Sequence, residues 1–560
     1  MFKRILFFLS KKITGLHQAA YIIGFFTLLS QVLGLVRDRL LAYNFGADTT
    51  VDIYYAAFRI PDIILVVAGS VVSISVLVPF LTKKISQSKE VAEEFIDTVF
   101  TIFFIGVITI CIPLYFLMPN LIPVVFPGIT DAVAQANLIF LARLFLLSPI
   151  LLGLSNIFAS IIQVHRRFLI YAISPLLYNL GIIIGIVALY PYFGITGLGL
   201  GVVLGVLMHV GIQLPFIIKK GFVPRWFFPA DRSEIWKVVR NSLPRTFTLS
   251  IDKLALLFLV SLASLIGSGS IAIFNYAWNL QSVPMALVGA SYSLAAFPVL
   301  SQLFADGDMK GFMRQVQTAI RHVVFWSLPI LSLFIVLRAQ IVRTILGAGE
   351  FGWLATRLTA ASLSLFVISV VAQSLVLVLV RAYYAADDTM TPLITSVIGG
   401  TTILGGAYGL MAAFQNIPVF RFFLENLLRV RGIEGTGVLV LPLAYSLGMV
   451  VMVAILWYFF QDKFGLFPAD MYRSLWQSAG SAIVGGFVAY GGLLLFGNWL
   501  ALTTGLGIFL QGFLAGITGI AAMILTLWLM DNQELEEMWQ AVRERYWHVS
   551  VEAIGPAEQQ

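Results

Sequence analysis

Apolar runs of twenty or more residues recur along almost the whole chain, separated by short polar or charged breaks. At 1.5 Å rise per residue, ~20 residues cross a ~30 Å hydrocarbon core as a helix. The pattern predicts fourteen membrane spans: 19–43, 53–80, 95–118, 135–163, 168–191, 195–218, 241–265, 271–302, 322–346, 356–384, 392–414, 436–461, 474–498 and 504–530. The runs are too long, and alternate too weakly, for a β-barrel. The expected fold class is an all-α polytopic membrane protein. The second, eighth and tenth runs exceed a bilayer's thickness, so tilt or bending is expected there. Gly34, Pro61 and Pro284 are candidate kink points.

Charge adds orientation to this picture. The chain is 59% hydrophobic and only 11% charged, with a net charge of +7, whereas a soluble domain carries about 25% charged residues. Lys83, Lys84, Lys89, Arg166, Arg167, Lys219 and Lys220 fall in loops that alternate with loops free of Lys and Arg, at 44–52, 119–134 and 192–194. The positive-inside rule then places both termini in the cytoplasm, and the basic excess calls for no nucleic-acid partner. Residues 1–18 read as a cytoplasmic amphipathic anchor and 531–560 as a cytoplasmic tail. One outer loop, 415–437, breaks the rule with Arg421, Arg429 and Arg431. It reads as a short helix on the outer surface.

The chain also echoes itself. "VHRRFLIYAISPLLYN" (164–179) aligns with "VRAYYAADDTMTPLIT" (380–395), pairing Pro175 with Pro392. "SVVSISVLVPFL" (70–81) aligns with "GASYSLAAFPVL" (289–300), pairing Pro79 with Pro298. An offset covering six spans makes a parallel repeat, with its axis along the membrane normal. The expected organisation is an N-lobe at 19–218, a basic linker at 219–240, a C-lobe at 241–462 and an extra helix pair at 474–530. Two such lobes frame alternating access around a site between them. A bundle without a cavity is the plainer alternative.

Polar residues inside the spans locate the candidate chemistry. "SQVLGLVRDRLLAYNFG" (30–46) holds Gln31, Arg37, Asp38 and Arg39, and "VDIYYAAFRIPD" holds Asp52, Arg59 and Asp62. Gln31, Gly34 and Asp38 share one helical face. Arginine suits a phosphate because its planar fork donates two hydrogen bonds at once. The competing reading is that the arginines snorkel, Arg37 lying about 27 Å along its helix. Arg39 fits snorkelling better than Arg37 does. Asp252 in the seventh span is either a Na⁺ or H⁺ site or a helix-packing partner. The single cysteine, Cys111, excludes an intrachain disulfide and a cysteine zinc cluster. Neither HExxH, a Walker A loop nor GxSxG occurs. No enzyme, metal or cofactor is expected.

"SQVLGLVRDRLLAYNFGADTTVDIYYAAFRIPD" (30–62) resembles the opening of the MurJ (MviN) lipid II flippases, of the multidrug/oligosaccharidyl-lipid/polysaccharide exporter superfamily. "GLSNIFASIIQVHRRFLIYAISPLLYNLGIIIG" (153–185), "NLQSVPMALVGASYSLAAFPVLSQLFADGD" (279–308) and "RAYYAADDTMTPLI" (381–394) carry the likeness through the second lobe. The resemblance implies a bacterial inner-membrane flippase that moves an undecaprenyl-diphosphate-linked peptidoglycan precursor to the outer leaflet by alternating access. It implies coupling to membrane potential, Na⁺ or H⁺, and a lipid-tail groove at 474–530. A monomer among membrane lipids is expected. The family pattern S-R-x-x-G-x-x-R-D matches at Ser30, Gly34, Arg37 and Asp38, with Gln31 in place of its first arginine. Asp52 and Arg59 match the acid and base around the second span. Leu65, Val66 and Ser70 replace an Arg-Arg pair and a Glu, and Trp278 and Asn279 replace an Asp-Arg.

The candidate substrate-binding set is therefore Gln31, Arg37, Asp38, Asp52, Arg59 and Asn279, with Asp252 for ion coupling. Three readings stand. The first is a lipid II flippase with a reduced cationic site. The second is an exporter of another polyprenyl-linked glycan, or a cation-coupled drug antiporter. The third is a non-transporting membrane scaffold.

Overall fold

A computed structural model describes residues 16–72, 74–228, 233–500 and 503–547. The described chain is helical, without strands. In lipid no water completes backbone hydrogen bonds, so helices that satisfy their own are the fold these apolar runs can take. Among the described residues, twelve helices are long and apolar enough to cross a membrane. The two further predicted spans are helical but differ from those twelve. The first lies in α1 (Leu16–Phe45), which carries Arg37, Asp38 and Arg39 and runs unbroken through Gly34. The second is divided into α2 (Thr49–Ala57), α3 (Arg59–Val71) and α4 (Ile74–Gln87). Fourteen spans are consistent with this arrangement. Most of the amphipathic segment predicted at 1–18, and the tail beyond Trp547, lie outside the described residues.

Proline places two of the irregularities. Pro61 has no N–H to give, so the i→i−4 ladder loses a rung next to Phe58, where α2 ends. Pro284 lies two residues before a π-helical turn at Ala286–Ala290 inside the long Ser270–Ala305 span.

The chain divides into two compact units. The first comprises Met1–Val283, Val342–Ala372 and Asp387–Leu456. It holds α5 (Lys89–Val125), α6 (Ala132–Phe145), α7 (Leu147–Val164), α8 (Phe168–Ile184), α9 (Ile195–Gly211), α10 (Ser233–Ser264) and most of α11 (Ser270–Met285). In this unit α1 packs on α8, α8 on α9, and α3 on α10. The α8–α9 seam depends on small residues that let the backbones touch. A Cβ on Gly181 would lie 2.2 Å from the Gly205 Cα, and one on Gly185, the first residue of the π-helical turn that continues α8, would lie 2.4 Å from the Gly201 Cα. Gly201→Leu is expected to lower stability by about 1–3 kcal/mol or more through overpacking. Thermal unfolding in detergent reads this, and an unchanged midpoint would refute the close crossing.

Of the basic linker, 219–228 and 233–240 are described, the latter as the start of α10. The Arg225 amide donates to Asp97 Oδ1 at 2.7 Å and the Phe227 amide to Thr101 Oγ1 at 3.0 Å. Trp226 packs on Phe100 and Phe104, so this stretch is fastened to the first turns of α5. The outer loop contains the expected short helix, Pro418–Leu427, in which Arg421 pairs with Glu425 at 2.9 Å.

The second unit comprises Pro284–Ile341, Gln373–Ala386 and Trp457–Gln560. Its helix Met309–Val336 packs on Ala469–Gly497, which packs on Gly505–Leu529. A terminal helix, Gln533–Trp547, is tied back by Arg321, which pairs with the fully buried Glu534 at 2.9 Å and with Glu537 at 3.3 Å.

Candidate functional site

The charged triplet on α1 separates into two environments. Adjacent residues on a helix point in different directions, yet the long Arg37 side chain folds back onto its neighbour. Its Nε and one terminal nitrogen donate to Asp38 Oδ1 at 2.9 and 2.8 Å. Its other terminal nitrogen donates to Asn179 Oδ1 on α8 at 3.3 Å. Asp38 is buried and collects two more donors: Tyr55 Oη at 3.2 Å and Asn279 Nδ2 at 2.9 Å. The pair is thus neutralised locally and held by three other helices. Arg39 is exposed and donates to the Thr344 and Ile345 carbonyls at 2.6 and 3.0 Å. These are orphan carbonyls at the end of helix Arg338–Ile345, a favourable place for a cation.

Beside the Arg37–Asp38 pair lies a cavity of about 220 Å³. Three cations line it: Arg37, Arg59 at the start of α3, and Lys253 on α10. Asp62, one turn after Arg59, is the acid in the lining, and Tyr54, Tyr178 and Trp278 supply aromatic walls. Arg59 donates to Asn275 Oδ1 on α11. Its Nε is buried with no hydrogen-bond partner among the described residues. A buried donor left unmade costs free energy, and an anion in the cavity would satisfy it. With Asp38 behind Arg37 counted, three cations face two acids, and the net positive charge sits in a low-dielectric setting, where its field is strong.

The sequence candidates distribute as follows. Arg37, Arg59 and Asn279 line the cavity, and Asp38 braces Arg37 from behind. Gln31 is half-buried, about 9 Å along α1 from Arg37, and is outside the lining. Asp52 is buried at the start of α11, where its oxygens accept the Gly269 and Ala272 amides, each at 2.7 Å. It caps a helix 217 residues away in the chain. Asp252 is exposed and outside the lining, while its neighbour Lys253 is in it. Lys253 and Asp62 are the cavity charges absent from the sequence candidates. Their signal was opposite charges on two spans, but only the packing of α3 on α10 shows that these spans meet.

The Asp52 cap makes a separate prediction. Asp52→Ala leaves two buried amides without acceptors, at about 1–3 kcal/mol each. A loss of about 2 kcal/mol or more in stability is expected by thermal unfolding. An unchanged midpoint would contradict the capping role.

Comparison with known proteins adds an independent line. A family model described as lipid II flippase MurJ matches residues 41–510. The probable lipid II flippase MurJ of Rickettsia prowazekii is 26% identical over 380 residues, covering 68% of this chain and 75% of its own. That of Borreliella burgdorferi is 26% identical over 487 residues, covering 83% and 93%. Among solved structures, a lipid II flippase MurJ in an inward closed conformation matches with a TM-score of 0.71 at 21% identity, over 93% of this chain and 100% of that one. An inward-facing multidrug resistance MATE family transporter of the MOP superfamily matches at 0.63 and 15% identity, over 79% and 96%.

Proposed function

This chain belongs to the MurJ lipid II flippase family, and we propose that it carries lipid II, the undecaprenyl-diphosphate-linked peptidoglycan precursor, from the cytoplasmic to the outer leaflet. The observation that carries the reading is the cavity with Arg37, Arg59 and Lys253 in its wall. A diphosphate accepts hydrogen bonds from both arginine forks and from the lysine ammonium, and satisfies the orphan Arg59 Nε. Asp38, Asn179 and Asn275 fix the arginines so that little order is lost on binding. At about 220 Å³ the cavity is below the ~300–1,000 Å³ of ordinary ligand pockets. The full head group therefore enters in a wider state, and the narrow cavity belongs to one stage of an alternating-access cycle. The lining draws on 37–62 and 178 from the proposed N-lobe and on 253–279 from the proposed C-lobe, which supports the two-lobe reading.

The protein acts in the bacterial inner membrane as a monomer, with both termini cytoplasmic, and is not an enzyme. Helices 474–530 hold the lipid tail. Asp252, exposed beside Lys253, is the carboxylate for Na⁺ or H⁺ coupling. Asp252→Asn should then remove ion dependence from transport while leaving lipid II binding intact. Loss of binding, or unaltered ion dependence, would count against it.

The wild-type chain is expected to sustain growth of a strain depleted of its own lipid II flippase. Failure at verified expression and insertion would contradict the proposal. Basic residues missing at Gln31, Leu65 and Val66 favour one second reading, an undecaprenyl-diphosphate carrying another glycan. Competition between the two lipids for the purified protein separates them. A cationic drug is disfavoured by the three cations in the wall.

A further inference from the structure

A second concavity, with a different lining, lies in the same unit. Helices α5 and α6 pack together and leave a groove of about 690 Å³. Its walls are apolar, with Ile112, Tyr115, Phe140 and Leu147 all exposed. Among the described residues Arg143 is the one charge in its lining. Its Nε donates to the Tyr115 carbonyl at 2.9 Å, and its guanidinium carbon stands 4.7 Å from the Tyr115 ring centroid. No ion pair of Arg143 occurs among the described residues, and its two terminal nitrogens make no hydrogen bond there. An arginine inside a membrane span is expensive, and such residues ordinarily face a bundle interior or pair with an opposite charge. This one does neither.

Depth narrows the occupant. The apolar stretch of α6 begins after Asn137, six residues or about 9 Å before Arg143. Side chains lean toward the N-terminus of their own helix. The guanidinium therefore reaches back toward the Asp131 end, which faces the outer leaflet in the topology proposed above. A cation near a headgroup layer, above an exposed apolar trough, is complementary to an anion that carries a long chain.

We propose that this groove docks an anionic phospholipid of the outer leaflet. Its phosphate accepts from the two terminal nitrogens of Arg143, and an acyl chain lies along Ile112, Leu147 and Ile150. The site is separate from the Arg37 cavity and does not rest on the transport reading.

Native mass spectrometry of the full-length purified protein, with equal amounts of phosphatidylglycerol and phosphatidylcholine, tests this. Phosphatidylglycerol adducts are expected to exceed phosphatidylcholine adducts about five- to tenfold, the worth of one near-surface cation. Arg143→Gln should bring the ratio close to one, while Arg143→Lys keeps most of it. Ala136→Trp, which fills the exposed groove, should reduce both adducts without moving the melting temperature, and serves where Arg143→Gln folds poorly. Three results would overturn the proposal: no lipid preference in the wild type, a preference unchanged by Arg143→Gln, or full adducts on Ala136→Trp. Displacement of phosphatidylglycerol by a polyprenyl phosphate at equal concentration would also overturn it in favour of that lipid.

Discussion

Arg37→Ala is expected to abolish growth support in a flippase-depleted strain, with lipid II affinity falling about 10–100-fold. That range follows from removing one charge-assisted donor group worth about 1.5–3 kcal/mol to a phosphate. The substitution has a second effect. It strands the Asp38 carboxylate, whose side chain is 3% exposed, and breaking a buried pair costs about 3–5 kcal/mol. Loss of activity alone would therefore be ambiguous. The double variant Arg37→Ala/Asp38→Asn removes the stranded charge and keeps the amide-sized group that Tyr55 and Asn279 contact. It should insert and melt close to the wild type, yet remain inactive. Recovery of activity in the double variant would mean that Arg37 serves only to neutralise Asp38.

Lys253→Ala is expected to lower lipid II affinity and transport about 10–100-fold at near-normal insertion. Lys253 is half-buried, and the hydrogen bonds that hold the arginines in place do not involve it, so truncation leaves the Arg37–Asp38 and Arg59–Asn275 contacts standing. Lys253→Arg should retain most of the function because the charge stays in the cavity, with some loss from the different shape of the fork. Lys253→Glu should be at least as damaging as alanine, because it sets a second carboxylate beside Asp62. Binding of radiolabelled lipid II to protein in nanodiscs reads all three. Equal affinity for alanine, arginine and glutamate variants would remove Lys253 from the site.

Hydropathy carried the fold because a span must be long, apolar and internally hydrogen-bonded wherever it occurs. The division of the second span into three helices was less legible. Pro61 announced a break, but the gap between α3 and α4 has no proline in it. For the site, Arg37 and Asp38 stood out as charges in an apolar run, and their contact needs only neighbouring positions. Asp52 could not be placed this way. Its partners at Gly269 and Ala272 lie more than 200 residues on, and a carboxylate capping a helix looks the same in sequence as one awaiting a ligand. The choice between Asp252 and Lys253 turned on about 100° of helix rotation, which the apolar pattern of α10 does not specify. Asn279 reads in sequence as a lost cation. In the structure its amide donates to Asp38 at 2.9 Å, so Arg37 shares its carboxylate with no second guanidinium.

The central claim is that this chain moves lipid II across the membrane through the Arg37–Arg59–Lys253 cavity. Its most direct measurement is the fraction of lipid II exposed on the outer leaflet in flippase-depleted spheroplasts, read by an added membrane-impermeant enzyme that cleaves the head group. Expression of the wild-type chain should restore the exposed fraction to that of undepleted cells, while Arg37→Ala/Asp38→Asn and Lys253→Ala leave it near the depleted level. A wild-type chain that is inserted and folded but leaves lipid II inside, or cavity variants that restore exposure as well as the wild type, would contradict the account.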